Sequence, residues 1–134
     1  METFELQNDI KVLFVKAESF PDGILVAYQE LEQKLGDVTS RTFYGLSRME
    51  DGCGIAYYAC AQQKDASAAL DLPTIIIDKG TYLTQTISNW RGSEHLIRET
   101  FARLIKDPRL MPDSFCVEWY KENGEVMCMV RIAK

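Results

Sequence analysis

Phe115-Cys116-Val117-Glu118-Trp119-Tyr120, then Lys121-Glu122-Asn123-Gly124-Glu125, then Val126-Met127-Cys128-Met129-Val130-Arg131-Ile132, is the stretch that decides the fold. Two apolar runs flanking Asn-Gly predict a β-hairpin, because Asn and Gly tolerate the positive φ of a type I′ turn. The second run is apolar at successive positions, so both faces of its strand are covered. The first run carries a carboxylate, Glu118, between Val117 and Trp119. A buried carboxylate costs free energy unless something solvates or pairs with it.

Working outward, the rest of the chain has the same grammar. Ile10 to Val15 reads as a strand, and Pro21-Asp22-Gly23 opens a helix with Ile24, Tyr28, Leu31 and Leu35 on one face, stopped by Gly36. Arg41 to Met49 and Ile55 to Ala61 read as strands around the turn Asp51-Gly52-Cys53-Gly54. After a polar, alanine-rich connection from Gln62 to Asp71, Thr74 to Ile77 starts a strand that resumes beyond Lys79-Gly80. Gly80, inside a β-patterned run, signals a bulge or a close backbone approach. Ser93 is the expected cap of a second helix with Leu96, Ile97, Phe101, Leu104 and Ile105 inward, ended by Asp107-Pro108. Both halves therefore read strand, helix, strand, strand. The expected fold is α+β: one domain, residues 1–134, of two βαββ units (about 9–62 and 73–133). Its sheet is mainly antiparallel, with two helices on one side and a central cleft. Two helices cover only one face of such a sheet. The other must close against the other half, a second subunit or a ligand.

Composition narrows the function classes. A net charge of −5 and few clustered cations argue against a nucleic-acid surface. The acidic start, Met1-Glu2-Thr3-Phe4-Glu5, lacks the basic and apolar regions of a secretory signal. With no apolar stretch near the ~20 residues of a membrane span, a cytoplasmic location is expected. Cys53, Cys60, Cys116 and Cys128 match no metal-ligand spacing and read as reduced core thiols, with Cys53 the most exposed. His95 has no second histidine to share a metal. No metal or cofactor is expected.

Strand alternation puts Cys116, Glu118 and Tyr120 on one face of their strand. A carboxylate beside a phenol, walled by aromatics, attracts a delocalised cation. Candidate walls are Tyr44, Tyr57 or Tyr58, Tyr82 and Trp90. Tyr57 and Tyr58 point to opposite faces, so only one lines a given cleft. There is no catalytic triad, metal cluster or phosphate-cradling loop; a hydrolase would have to use Glu118 as general base.

Ile77-Asp78-Lys79-Gly80-Thr81-Tyr82 and Cys116-Val117-Glu118-Trp119-Tyr120 together resemble the GyrI-like small-molecule-binding superfamily, which includes the effector-binding domains of AraC-type and MerR-type regulators. Asp78 departs from it, standing where the family often has Pro. The resemblance covers most of residues 9–132 and implies a cleft for lipophilic, often cationic, compounds, with Glu118 facing into it. It implies a stand-alone bacterial binder for drug or toxin sensing or sequestration, with a place in transcriptional regulation. Other branches are hydrolases of cyclopropane-bearing toxins, and others inhibit gyrase as protein-interaction modules. A protein partner or a homodimer is compatible with it; direct nucleic-acid or membrane binding is not expected.

Overall fold

In the computed structural model, which describes residues 1–36, 41–50, 54–63 and 72–133, ten elements follow one another. They are β1 (Glu2–Leu6), β2 (Ile10–Lys16), α1 (Ile24–Leu35), β3 (Phe43–Glu50), β4 (Gly54–Gln62), β5 (Thr74–Ile77), β6 (Gly80–Ser88), α2 (His95–Leu104), β7 (Cys116–Tyr120) and β8 (Glu125–Arg131). The strands form one antiparallel sheet in the order β1-β6-β8-β7-β3-β4-β2-β5. The fold is α+β, as expected, and the order is symmetric about the β7–β3 junction. Each half contributes a helix and three strands to its own side, while its first strand pairs with the other half.

That exchange curls the sheet. β5 is an edge strand and β6 lies second from the opposite edge, about 29 Å away if the sheet were flat (six spacings of ~4.8 Å). Only residues 78 and 79 join them, and three Cα steps of 3.8 Å span about 11 Å at most. The same holds for β1 and β2, joined by residues 7–9. The sheet must therefore roll until its edges approach. Hydrogen bonds mark the closure: the Lys79 amide donates to Asp9 Oδ1 (2.8 Å) and the Tyr82 hydroxyl to the Asp78 carbonyl (2.5 Å).

Rolling answers the question of the uncovered face. The inner face buries Leu6, Val12, Tyr44, Leu46, Tyr58, Ile77, Tyr82, Val117, Met127 and Met129 against one another, edge strands included. The outer face carries both helices. α1 buries Ala27, Leu31 and Leu35, at helical spacing, on Leu13, Tyr57, Ala59 and Ala61. α2 buries Ile97, Thr100 and Leu104 beside Leu83, Val126, Cys128 and Val130. Neither helix is long and apolar enough to cross a membrane.

Four local expectations are corrected. The acidic start, assigned no element from the sequence, is strand β1, and its alternating Phe4 and Leu6 pack into the inner core. Ser93 does not cap α2 with its side chain: Glu94 is the N-cap residue and Ser93 gives only its carbonyl, to the Leu96 amide (2.9 Å). Leu96 and Ile105, expected inward, are exposed because the buried stripe runs through Ile97, Thr100 and Leu104. The 120–126 hairpin is not a type I′ turn. Of Asn123 and Gly124 only Gly124 has positive φ (+87°), and Lys121 N–H bonds the Glu125 carbonyl (2.8 Å), a three-residue loop. Asn123 Oδ1 accepts from the Glu125 amide (3.1 Å), and this local bond holds the loop open by one residue. Cys53 lies outside the described residues.

Candidate functional site

Glu118 sits at the middle of β7, opposite Gly45 of β3 and Cys128 of β8. It is 7% exposed, on the outer face between the territories of the two helices. Neither cross-strand neighbour carries a charge, and no Lys or Arg pairs with it among the described residues. Phenols surround it instead. Tyr57 donates to Oε1 (2.9 Å) and Tyr120 donates to the same oxygen. The Tyr28 hydroxyl, from α1, lies 2.9 Å from the Tyr57 hydroxyl and donates to the Tyr44 carbonyl (2.8 Å). The protein supplies Glu118 Oε2 with no donor among the described residues.

The chain's six tyrosines divide equally between the two faces. Tyr28, Tyr57 and Tyr120 enclose Glu118, with Tyr28 ring-to-ring at 6.2 Å from Tyr57 and 6.3 Å from Tyr120. Trp90 extends the wall, 5.2 Å from Tyr120, and Phe20 stacks on Tyr57 at 6.0 Å. Tyr44, Tyr58 and Tyr82, expected as walls, lie on the inner face. The register decides this: Gly45 pairs with both Glu118 and Ala59, so 45, 59 and 118 share a face and 44, 58 and 82 take the other. Tyr44 packs on Trp119 there, and Tyr58 donates to Glu50 Oε2 (2.5 Å).

Three residues of this constellation, Phe20, Tyr28 and Gly45, were not anticipated as site residues. Tyr28 reads in the sequence as one member of a helix's apolar stripe, and nothing there signals a hydroxyl that meets Tyr57 beside a buried carboxyl. Gly45 carried a usable signal, a glycine inside a strand pattern. A Cβ there would stand 2.6 Å from Glu118 Oε1 and collide with the Tyr57 hydroxyl, so the glycine is what lets these two groups meet.

Burial, the largest influence, raises the pKa of Glu118, and the phenol bonds from Tyr120 and Tyr57 only partly oppose it. Burial followed by the nearby Glu118 charge raises Tyr57, Tyr120 and Tyr28 well above the ordinary phenol value. The flanking thiols shift the same way, Cys116 to about 11 and Cys128 to about 12. Four oxygen–oxygen contacts join Tyr120 to Glu118, Glu118 to Tyr57, Tyr57 to Tyr28 and Tyr28 to the Tyr44 carbonyl. With Glu118 ionised, three phenolic protons serve these four contacts; with Glu118 protonated, its own proton serves the Tyr57 contact, Tyr57 turns to Tyr28, and all four are filled.

No protein-family profile matches the chain, and no curated protein does. Solved structures do match. One is an integron cassette protein from the mobile metagenome of Vibrio cholerae, 16% identical, with a TM-score of 0.71 over 98% of this chain and 95% of that one. Another is SAV2435 bound to tetraphenylphosphonium, 11% identical, TM-score 0.72, covering 99% of this chain and 94% of that one. A third is a hydrolase from Listeria innocua, 12% identical, TM-score 0.59, covering 98% and 90%. At these identities what is shared is the fold.

Proposed function

We propose that this chain binds a lipophilic, monocationic small molecule between its helices, with Glu118 as the anionic anchor. The carrying observation is the buried Glu118 ringed by Tyr28, Tyr57 and Tyr120, with no cation to pair it and no donor to Oε2 among the described residues. A lipophilic cation supplies the missing charge without demanding hydrogen bonds, and the rings add cation–π attraction of ~0.5–2 kcal/mol each. That SAV2435 holds tetraphenylphosphonium on the same fold supports this reading, as does the GyrI-like pattern around Glu118. A sensing or sequestering role follows from returning the ligand unchanged.

The protonation chain adds a mechanism. At pH values below its raised pKa, Glu118 is neutral before binding and one proton leaves as the cation enters; above that pKa the carboxylate meets the cation already ionised. Affinity then rises with pH until it passes the raised pKa of Glu118 and is flat above it.

Calorimetry with tetraphenylphosphonium and the uncharged triphenylphosphine oxide tests the proposal. At ~6 Å and an effective dielectric of ~20, the carboxylate–phosphonium attraction is about 3 kcal/mol before desolvation. The cation should bind at least about tenfold more tightly, and Glu118→Gln should erase that preference. Equal affinities for the two compounds, or a cation preference that survives Glu118→Gln, would refute it.

Hydrolysis with Glu118 as general base is the second reading, and one observation favours it: burial moves the carboxyl toward the range of a working base. Against it stand the flanking thiols, held protonated by burial, so that no activated nucleophile accompanies the carboxylate. Multiple turnover of a cyclopropane-bearing or ester substrate, followed by mass spectrometry and lost in Glu118→Gln, would favour the enzyme.

A further inference from the structure

The rolled sheet forms a cavity of about 130 Å³, partly open to solvent, on its inner face, with the sheet between it and Glu118. Its floor is apolar, built by Leu46, Ile77 and Val117, and the rings of Tyr82 and Phe115 stand at its sides. Arg131, the last residue of β8, lines it as well, with its guanidinium 5.8 Å from the Tyr82 ring centre. Arg131 Nε is shut off from solvent and has no acceptor among the described residues. No carboxylate among the described residues lies within ion-pairing distance of this guanidinium either. Arg48 lies over Phe115 at 4.4 Å, but its Nε is already engaged 3.5 Å from Glu50.

A partly buried guanidinium without an acceptor is costly, yet the fold makes room for this one. Gly80 has a φ of +140°, and a Cβ there would stand 2.6 Å from Arg131 Nε. The glycine anticipated as a close-approach site thus yields its side-chain space to Arg131.

We infer that the inner cavity is a second binding site, for a monocarboxylate carrying a ring-sized apolar body, with Arg131 as the carboxylate's partner. Guanidinium matches carboxylate geometry through paired N–H donors. An apolar cavity of about 150 Å³ holds benzene; this one, at about 130 Å³ and partly open, takes most of a ring and leaves the rest of the ligand at its mouth. Asp78 and Asp113 line the same cavity and are both exposed, so they repel a dianion more than a monoanion. That selects a carboxylate over phosphate. The site is chemically opposite to the one around Glu118 and independent of it.

Amide NMR titrations of the whole protein with benzoate, benzamide and inorganic phosphate provide the test. Benzoate should give saturable shifts centred on Tyr82, Val117 and Arg131, and benzamide should bind at least about tenfold more weakly, for want of the charge-assisted bond. Arg131→Met should remove the difference between the two, and Arg131→Lys, a point charge without the fork, should retain part of it. The inference is overturned by non-saturable benzoate shifts, by shifts centred on the Glu118 face, by phosphate binding as tightly as benzoate, or by undiminished binding in Arg131→Met. If Arg131→Met does not fold, the benzoate-to-benzamide ratio on the wild-type protein decides alone. Benzoate affinity that falls in Glu118→Gln as much as in Arg131→Lys also overturns it.

Discussion

Glu118→Gln should make the unliganded protein more stable at neutral pH, by an amount that depends on pH. Two terms oppose each other. The variant converts the bonds from Tyr57 and Tyr120 from charge-assisted to neutral, a loss of about 1 kcal/mol each. It also removes the cost of ionising a carboxyl that is 7% exposed and unpaired, an effective penalty of several kcal/mol. The amide, moreover, offers an N–H to the phenol chain where the carboxylate offers none. We expect a net gain of about 1–2 kcal/mol at pH 7, a rise in Tm of roughly 3–10 °C for a domain of this size.

The pH dependence gives the sign independently. Glu118 has a raised folded-state pKa, so the folded protein holds this proton more tightly than the unfolded chain does. Its contribution to stability is fully present below the unfolded value and is lost as pH rises through the folded one. The advantage of the glutamine variant should therefore be small near pH 4, grow through the folded pKa and level off above it. Urea unfolding of both proteins at a series of pH values measures the difference directly. A variant less stable than wild type at pH 7, or a difference that does not change from pH 4 to 8, would refute the buried, unpaired carboxyl.

Gly45→Ala should cost about 1–3 kcal/mol, since its Cβ collides with the Tyr57 hydroxyl and Glu118 Oε1, and denaturant melts will show it. It should also weaken tetraphenylphosphonium binding, because Tyr57 and Glu118 can no longer meet. Gly80→Val should cost about 2 kcal/mol or more, combining a φ of +140° with the loss of the space Arg131 occupies; thermal denaturation against an exposed-site control will test it. Tyr28→Phe should cost about 1–2 kcal/mol, because it deprives the Tyr44 carbonyl of its donor and ends the phenol chain at Tyr57, again read by chemical denaturation.

Much of the fold was legible because periodicity is local. The stripe of α1 and the apolar run of β8 carry their periods in seven to twelve residues. The curl was not legible, because it depends on partners far apart in the chain: Glu2 with Thr84, and Ile10 with Ile77. No local signal in Glu2-Thr3-Phe4-Glu5-Leu6 announces that β1 will pair with β6. Alternation likewise assigned Tyr57 and Tyr58 to opposite faces and Glu118 to the same face as Tyr120. It left open how the faces of different strands correspond. That correspondence lives in the register, where Gly45 opposite both Glu118 and Ala59 brings Tyr57 to the carboxylate and carries Tyr44 away.

Two glycines show what links fold to site. Gly45 and Gly80 sit on strands whose neighbours are bulky, and at each the missing side chain is replaced by a charged group from another strand, Glu118 in one case and Arg131 in the other. The two charges lie on opposite faces of one sheet, and neither has an ionic partner within the protein among the described residues. Glu118 is buried and Arg131 half-buried, each at a cost that packing alone does not offset. Had stability been the only demand, an apolar residue at either place would have served better, and the glycine opposite could have carried a side chain. The anion on the helical face and the cation inside the roll fit the two ligands of opposite charge proposed above. Their sites are separated by the thickness of a β-sheet and share β7, which contributes Glu118 to one and Val117 to the other.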